Sequence, residues 1–328
     1  MVFVTGGTGL IGSFLLRALR ARGLAVRALH RGPIPTGAAL GVEWLAGDLL
    51  DTDLLRAALT PDVTHVFHCA GLVSYAPQDV ELLQRVNVDG TAGVVDACLD
   101  RPGIRLAHVS SVAALGTPTG PGPQVVTEAA TWDLGAAHPA YATSKYLGEL
   151  EVWRGAAEGL SAVVVNPSVV LGPGDWHRSS TRLLRYAYEQ HHFYTRGLVN
   201  FVDVRDVVAQ VLALALDLPA VRDQRFILSA GALPLADFFG QAAAALGRRP
   251  PTVAVPDWAA EGIWRFEHVR ALLTGARPLI TRDTARAGRH PITYASTRVQ
   301  QVTGLPFKSL PKTIAWCAAN LVTAAAAT

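Results

Sequence analysis

Apolar runs alternate with amphipathic stretches through the first half of the chain. Residues 2–5 form an apolar, strand-like run, and residues 10–21 repeat large apolar side chains at helical spacing. The same alternation predicts further strands at 25–30, 42–45, 65–71, 106–110 and 162–165, and helices at 52–59, 80–99 and 140–158. Strands and helices in this order are typical of a parallel sheet covered on both faces. The pattern therefore predicts an α/β fold with a doubly wound parallel sheet.

A glycine-rich turn joins the first strand to the first helix. Gly6 permits a tight turn, Gly9 lets the backbone approach a pyrophosphate, and Gly12 lets the helix pack closely on the strand. The helix N-terminus offers free N–H groups and the positive end of a dipole to phosphate. A coincidental turn is the alternative, but a strand precedes the motif and a helix follows it. The expected cofactor contacts here are Gly6, Thr8, Gly9, Leu10, Ile11 and Gly12.

The regular alternation weakens beyond Asn166, where prolines, glycines and aromatic residues become frequent. We expect this part to form a smaller C-terminal α/β substrate lobe over the carboxyl ends of the strands, where doubly wound sheets bind ligands. The predicted division assigns residues 1–165 to a dinucleotide-binding Rossmann domain, to which 200–218 return. Residues 166–199 and 219–328 make up the substrate lobe.

Composition narrows the class of protein. Half of the 328 residues are hydrophobic, 17% are charged, and the formal net charge is only +3, which argues against a nucleic-acid partner. The longest apolar stretches, such as 207–218, are shorter than the ~20 residues of a membrane span. The first strand leaves no room for a signal peptide. Three scattered cysteines and ungrouped histidines predict a cytoplasmic protein with reduced thiols and no metal.

Three side chains could carry acid–base chemistry. Tyr141 and Lys145 stand four residues apart on a predicted helix and so project from one face. A phenol with a pKa of ~10 is a poor base, but a neighbouring ammonium and a nicotinium charge would favour the phenolate. Ser111 follows the fifth strand, where its hydroxyl could hold a substrate oxygen. The alternative is a turn serine and two surface groups.

Several motifs occur in the order of one known family. They are Thr5–Gly12, Gly47-Asp48-Leu49, Val86–Thr91, Ser110-Ser111 and Tyr141-Ala-Thr-Ser-Lys145, continued by residues 166–174 and 201–206. The chain resembles the extended short-chain dehydrogenases/reductases, the NAD(P)-dependent epimerase/dehydratase family. The resemblance covers residues 1–215 well. It is specific for the family and poorly specific for the substrate.

The resemblance implies roles for individual residues. Tyr141 would be the general acid or base, Lys145 would hold the nicotinamide ribose and lower the tyrosine pKa, and Ser111 would be the catalytic serine. Asn87 would order a helix and support proton relay, with a plain helix kink as the alternative. Other implied cofactor contacts are Asp48 and Leu49 at the adenine, Ala70 and Gly71 near the adenosine, and Pro167 and Ser168 at the nicotinamide. The implied substrate contacts are Val73, Ser74 and Tyr75, with Trp176 and His177 closing over the substrate.

The end of the second strand bears on the choice of cofactor. An acidic residue there would bind a ribose 2′-hydroxyl, whereas a basic one suits a 2′-phosphate. This chain has His30 and Arg31, an arrangement similar to dihydroflavonol-reductase-like members of the family, which favour NADP. NAD stays possible, because Arg31 could be a solvated strand-end arginine.

These features predict an NADP-dependent oxidoreductase that interconverts a secondary alcohol and a ketone or aldehyde by hydride transfer. An NAD-dependent nucleotide-sugar epimerase is the alternative, and a non-catalytic NADP-binding sensor is a third possibility. Val112-Ala113, where dehydratases carry an Asp-Glu pair, argues against dehydration. A small-molecule substrate is expected, and the resemblance implies a homodimer formed through the helices at 80–99 and 141–158.

Overall fold

A computed structural model of the chain describes residues 1–116, 118, 122–175, 181–274 and 291–325. The strands of these residues are β1 (Val2–Thr5), β2 (Val26–His30), β3 (Val42–Ala46), β4 (His65–His68), β5 (Arg105–Val109), β6 (Gln124–Val126), β7 (Ser161–Pro167), β8 (Val169–Leu171), β9 (Phe193–Thr195), β10 (Leu198–Asp203), β11 (Gln224–Leu228), β12 (Gly231–Pro234), β13 (Val253–Val255) and β14 (Ile292–Tyr294). The α-helices are α1 (Leu10–Ala21), α2 (Thr52–Ala58), α3 (Val80–Gln84), α4 (Gly90–Leu99), α5 (Ala140–Ala157), α6 (Thr181–Tyr188), α7 (Val204–Leu212), α8 (Leu235–Ala245), α9 (Asp257–Thr274), α10 (Thr297–Thr303) and α11 (Leu310–Ala325).

Seven parallel strands form the central sheet, in the order β11-β7-β5-β4-β1-β2-β3. Successive residues point to opposite faces of this sheet. On β1, Val4 packs in the layer that includes α1 and α7, whereas Phe3 packs in the layer that includes α2 and α4. The strands are therefore apolar at almost every position, as expected of a sheet covered on both sides. The predicted α/β class is confirmed.

A smaller set of sheets lies beyond β7. Three strands pair in the order β12-β10-β8, and two-stranded sheets join β9 to β13 and β6 to β14. A separate apolar cluster that includes Leu171, Phe201, Phe238 and Ile314 packs this region against α8 and α11. The arrangement agrees with a smaller α/β lobe in the second half of the chain.

The boundaries differ from the sequence prediction in two places. Strand β11 was assigned to the lobe with the rest of 219–328, but it pairs in parallel with β7 at the edge of the central sheet. Helix α10 packs beside it, with Val299 in the main core. Of the returning segment 200–218, α7 packs on α1 as expected, whereas β10 pairs with β8 and β12. The chain thus crosses between the two parts more often than predicted.

The predicted helix at 80–99 is interrupted. One π-helical turn, Arg85–Asp89, separates α3 from α4. Asn87 lies in this turn and is 2% exposed. Such turns widen the helix by one residue and are frequent at functional sites.

Candidate active site

The glycine-rich turn is too crowded for side chains. Gly6 has a φ of +71°, and a Cβ there would lie 2.5 Å from the backbone nitrogen of Ala70. A Cβ on Gly12 would lie 2.1 Å from the Gly6 carbonyl oxygen, and one on Gly9 would lie 3.3 Å from the same atom. Gly9 caps α1 without any side-chain hydrogen bond, and the first turn of α1 holds no acidic residue. The bare helix N-terminus suits a pyrophosphate.

The remaining residues of the motif lie at the same helix end. Thr8 belongs to the turn, and Leu10 and Ile11 begin α1. The structure therefore brings together, at one end of α1, all six residues that were predicted to contact the cofactor phosphates.

The rim beside β2 gathers the residues expected at the adenosine. The Arg31 guanidinium lies 3.6 Å from the Asp48 carboxylate, and the Arg31 side chain is 73% exposed. His30 ends β2, next to the end of β3. Leu49 lies over α4, because a Cβ on Gly90 would be 2.6 Å from its Cδ2 atom. A mobile cation held by one exposed carboxylate can turn toward a second anion.

Ser111, Tyr141 and Lys145 meet where β5 ends. Ser111 follows β5 and accepts a hydrogen bond on Oγ from the Ala113 N–H at 3.2 Å. The Tyr141 side chain is hydrogen-bonded to that of Ser111. The Lys145 ammonium donates to the Val109 carbonyl at 3.2 Å. Tyr141 is 8% exposed and Lys145 is 6% exposed, so neither is a surface group.

Burial sets the proton affinities of this trio. Burial raises the pKa of Tyr141, and the hydrogen bond with Ser111 acts in the opposite direction. Burial also lowers the pKa of Lys145 to about 8, and the charge of Glu149 opposes that fall. The sequence analysis expected the pKa of Tyr141 to fall. Desolvation by the protein penalises the phenolate more than the serine hydroxyl stabilises it, and the expected fall, which includes the nicotinium charge of a bound cofactor, stays a prediction.

Asn87 holds two elements together. Its amide donates to the Leu72 carbonyl and to Ser144 Oγ, both at 2.9 Å, and its Oδ1 accepts from the Leu72 N–H at 2.7 Å. The side chain thus fastens the segment after β4 to α5. These bonds agree with the ordering role that the sequence analysis gave Asn87, and its proton-relay role stays a prediction.

Two of the residues predicted to contact substrate are exposed on the segment after β4. Val73 and Tyr75 are 45% and 50% exposed, and the Tyr75 ring meets Tyr141 edge-on with centroids 5.5 Å apart. Ser74 is turned inward, where its hydroxyl donates to Asp79 Oδ2 at 2.5 Å. Trp176 and His177 lie outside the described residues.

Of the two predicted nicotinamide contacts, Pro167 ends β7 and Ser168 follows it. Ser168 is buried, and within the described ranges its Oγ has no hydrogen-bond partner. Ala70 abuts Gly6 and Gly71 lies close to Lys145, and their predicted places near the adenosine stay predictions. A Cβ on Gly71 would lie 3.6 Å from Lys145 Nζ.

The sequence analysis did not single out three buried polar side chains around the trio. His108 lies beneath the site on β5, and in the described part of the chain neither ring nitrogen has a partner. Glu149 lies on α5 and Asn166 on β7, joined by a hydrogen bond of 2.7 Å. Glu149 could have been found from its spacing, since it lies two turns beyond Tyr141 on the same helix face.

The described residues contain neither a metal site nor a membrane-spanning helix. No group of three His, Cys, Asp or Glu side chains in these ranges could hold a metal ion. None of the helices there combines the length and apolar character needed to cross a membrane.

Comparisons with known proteins agree with this geometry. Residues 2–226 match the model of the NAD dependent epimerase/dehydratase family. A candidate dihydroflavonol 4-reductase of a Synechocystis species is 34% identical over 95% of this chain and 92% of its own. Sterol demethylase protein B of Methylococcus capsulatus is 33% identical over 79% of each chain. The crystal structure of gox2253 is similar with a TM-score of 0.81 and 29% identity, over 99% of this chain and 98% of its own.

The chain belongs to the NAD dependent epimerase/dehydratase family, that is, to the extended short-chain dehydrogenases/reductases. It is an enzyme of NAD(P)-dependent oxidoreduction. The bare glycine turn, the free end of α1 and the Ser168 hydroxyl, which has no partner among the described residues, all fit a nicotinamide dinucleotide.

Proposed function

We propose that the enzyme interconverts a secondary alcohol and a ketone or aldehyde, using NADP(H) that dissociates after each turnover. The observation that carries this proposal is the convergence of Ser111, Tyr141 and Lys145 at the end of β5, beside the glycine turn. Bound NADPH would supply the hydride for reduction of the carbonyl.

In this scheme Tyr141 is the proton donor in reduction. Burial raises its pKa, so the phenol keeps its proton at neutral pH until a substrate oxygen accepts it. Ser111 lies within hydrogen-bond reach of the phenol and can donate to the same oxygen. Lys145, buried on the next turn of α5, places a positive charge that stabilises the phenolate left behind.

The rim at Arg31 supports NADP over NAD. The strand end that would need a carboxylate for a ribose 2′-hydroxyl carries His30 instead, and Arg31 offers an exposed guanidinium. Guanidinium groups bind phosphate in a bidentate manner, and the single exposed bond to Asp48 is weak enough to be exchanged.

An apolar or aromatic carbonyl compound is the proposed substrate class. Val73 and Tyr75 present exposed apolar surface after β4, and the Tyr75 ring lies against Tyr141. Relatives with partial coverage are named cinnamoyl-CoA reductases, and another is named a dihydroflavonol 4-reductase, which supports an aromatic substrate.

The test is NADPH oxidation with cinnamoyl-CoA, a dihydroflavonol and acetophenone as probes. Tyr141→Phe should lower kcat about 10²–10⁴-fold, the usual contribution of a positioned acid, with NADPH affinity unchanged. Tyr146→Phe is the matched control, because Tyr146 lies on the same helix but stacks on Trp132 instead. Full activity in the Tyr141 variant would contradict the proposal.

Cofactor choice has its own test. Fluorescence titration should show NADPH bound more tightly than NADH, and Arg31→Ala should reduce that preference about tenfold, as expected for one charge-assisted contact. Arg22→Ala, at the far end of α1, should leave it unchanged. A structure 25% identical to this chain is titled MoeE5 with UDP-glucose and NAD. Purification with tightly retained NAD, indifferent to Arg31, would therefore favour a nucleotide-sugar epimerase.

We also propose that the enzyme works in the cytoplasm as a homodimer, with no nucleic-acid partner. The three cysteines are unpaired, which suits a reducing compartment. Val80, Leu82 and Leu150 leave apolar side chains at least 40% exposed on α3 and α5, the surface expected to form the dimer. Light scattering on Leu150→Glu should report a monomer if α5 forms the interface, and an unchanged mass would exclude it.

A further inference from the structure

A buried carboxylate connects α5 to the end of β5. Glu149 is 2% exposed, and its Oε2 accepts a hydrogen bond from Asn166 Nδ2 at 2.7 Å. The same Asn166 nitrogen donates to the backbone carbonyl of Ser111 at 3.0 Å. Both protons of the Asn166 amide are therefore committed, one to a helix carboxylate and one to the backbone of the serine.

These two acceptors fix which way the amide points. A flipped Asn166 would place its oxygen against a carbonyl and a carboxylate, both of which are acceptors. Asn166 is fully buried, so water cannot replace either bond. Glu149 is itself held, since Oε1 accepts from Trp153 Nε1 at 3.2 Å and from Arg225 Nη1 at 3.4 Å.

Glu149 also faces the charge of the site. It lies one helical turn beyond Lys145, which lies one turn beyond Tyr141, so the three share the face of α5 toward the sheet. The other groups that act on Lys145 are His68 and Cys69 from β4 and its exit, and His108 from β5. Both histidines are buried and neutral, because desolvation lowers the pKa of each.

We propose that Glu149 is a positioning residue of this active site: its carboxylate orients Asn166, which holds the Ser111 carbonyl, and its charge stabilises the Lys145 ammonium. The inference rests on the proposed function, in which Ser111 and Lys145 act on substrate and proton. Burial lowers the pKa of Lys145 to about 8, and the Glu149 charge opposes that fall. Without the Glu149 charge, the pKa of Lys145 would lie nearer to neutral pH.

The charge can be tested without any substrate. The chain has three lysines, Lys145, Lys308 and Lys312, so the full-length protein labelled with ¹³C-lysine gives few side-chain signals to follow by NMR against pH. Glu149→Gln keeps an acceptor for Asn166 but removes the charge. We expect it to lower the titration midpoint of Lys145 by about one pH unit, at the small end of the effect of a nearby opposite charge.

The controls lie in the same network. Lys308 and Lys312 should titrate as in the parent protein, and Trp153→Phe, which removes one neutral donor to Glu149, should leave Lys145 unchanged. An unshifted Lys145 in Glu149→Gln would overturn the electrostatic half of the proposal. The signal that disappears in Lys145→Arg is the signal of Lys145.

The positioning half is read from NADPH oxidation with the same three probes. Asn166→Ala should lower kcat about tenfold while leaving NADPH affinity and the Lys145 midpoint unchanged, because it removes the link and not the charge. Glu149→Leu should lose both the link to Ser111 and the charge that stabilises Lys145. The double variant Glu149→Leu/Asn166→Ala should have the same kcat as Glu149→Leu alone, because both changes break the same link. Parental kcat in Asn166→Ala would refute this half. Activity that survives Tyr141→Phe would instead refute the proposed function. The Lys145 titration would still test whether the Glu149 charge acts on Lys145, because it needs no substrate.

Discussion

The buried histidines make the fold sensitive to acid. His68 is completely buried at the end of β4, with its ring nitrogens against Thr5 Oγ1 at 2.6 Å and Thr91 Oγ1 at 3.0 Å. Burial, helped by the Lys145 charge, lowers its pKa from 6.5 to about 3. At mildly acidic pH the His68 ring is therefore protonated in the unfolded chain and stays neutral in the folded protein.

The magnitude follows from linkage between protonation and folding. The stability is fully present above the unfolded pKa of 6.5 and is lost as the pH falls toward the folded value of about 3. Once both states are protonated the loss is about 5 kcal/mol. Between pH 7 and pH 5 it is about 2 kcal/mol, and this part depends only on the unfolded chain, because the folded ring stays neutral throughout.

Urea unfolding at pH 7 and pH 5 measures this loss. His68→Gln removes the titrating ring, so we expect the pH-dependent loss of unfolding free energy to shrink by about 2 kcal/mol, whatever the variant loses at pH 7 through packing. Coincident fluorescence and circular-dichroism transitions establish that one step is being measured. His192→Gln replaces an exposed histidine and should retain the full loss. Equal losses in His68→Gln and the parent protein would refute the reasoning.

Three other predictions concern the backbone, a buried cation and the thiols. Gly12→Ala should abolish NADPH binding in a fluorescence titration, because its Cβ would lie 2.1 Å from a turn carbonyl, whereas Gly240→Ala, with open space around it, should bind normally. Arg105→Met should lower the free energy of unfolding in urea by about 3 kcal/mol, because the buried guanidinium donates to several carbonyls beyond α7. The control Arg22→Met breaks an exposed ion pair and should lower it by under about 1 kcal/mol. Iodoacetamide should leave Cys317 unmodified in the native protein at pH 8 by mass spectrometry, because burial raises its pKa to about 12, and rapid labelling would contradict that burial.

Local features of the fold could be predicted from the sequence. The glycine turn and the strand before it depend on neighbouring residues, and the structure confirms them. Strand β11 was not predicted to join the central sheet. Its place is settled by pairing with β7, which lies some 60 residues earlier and is separated from it by elements of the lobe.

The chemistry of the site was predictable only in part. The spacing of Tyr141 and Lys145 indicated that they share one helix face, but the direction of the tyrosine pKa depends on how much water the fold removes. Ser74 is a similar case. The resemblance implied a substrate contact for Ser74, which stays a prediction, and the hydrogen bond of its hydroxyl to Asp79 is an interaction that no local pattern contains.

The link between Glu149 and Ser111 depends on strand register. Val109 of β5 pairs with Val165 of β7, so Asn166 falls beside the chain just before Ser111. Because side chains alternate between the faces of a sheet, a shift of one residue in β7 would turn Asn166 away from α5 and bring an apolar side chain into its place. That register is fixed by the apolar alternation that buries Val164 on one face and Val165 on the other. The pattern that builds the core therefore also aligns Ser111 with the helix that carries Tyr141 and Lys145, and a one-residue insertion early in β7 would break the link while leaving all three residues in the chain.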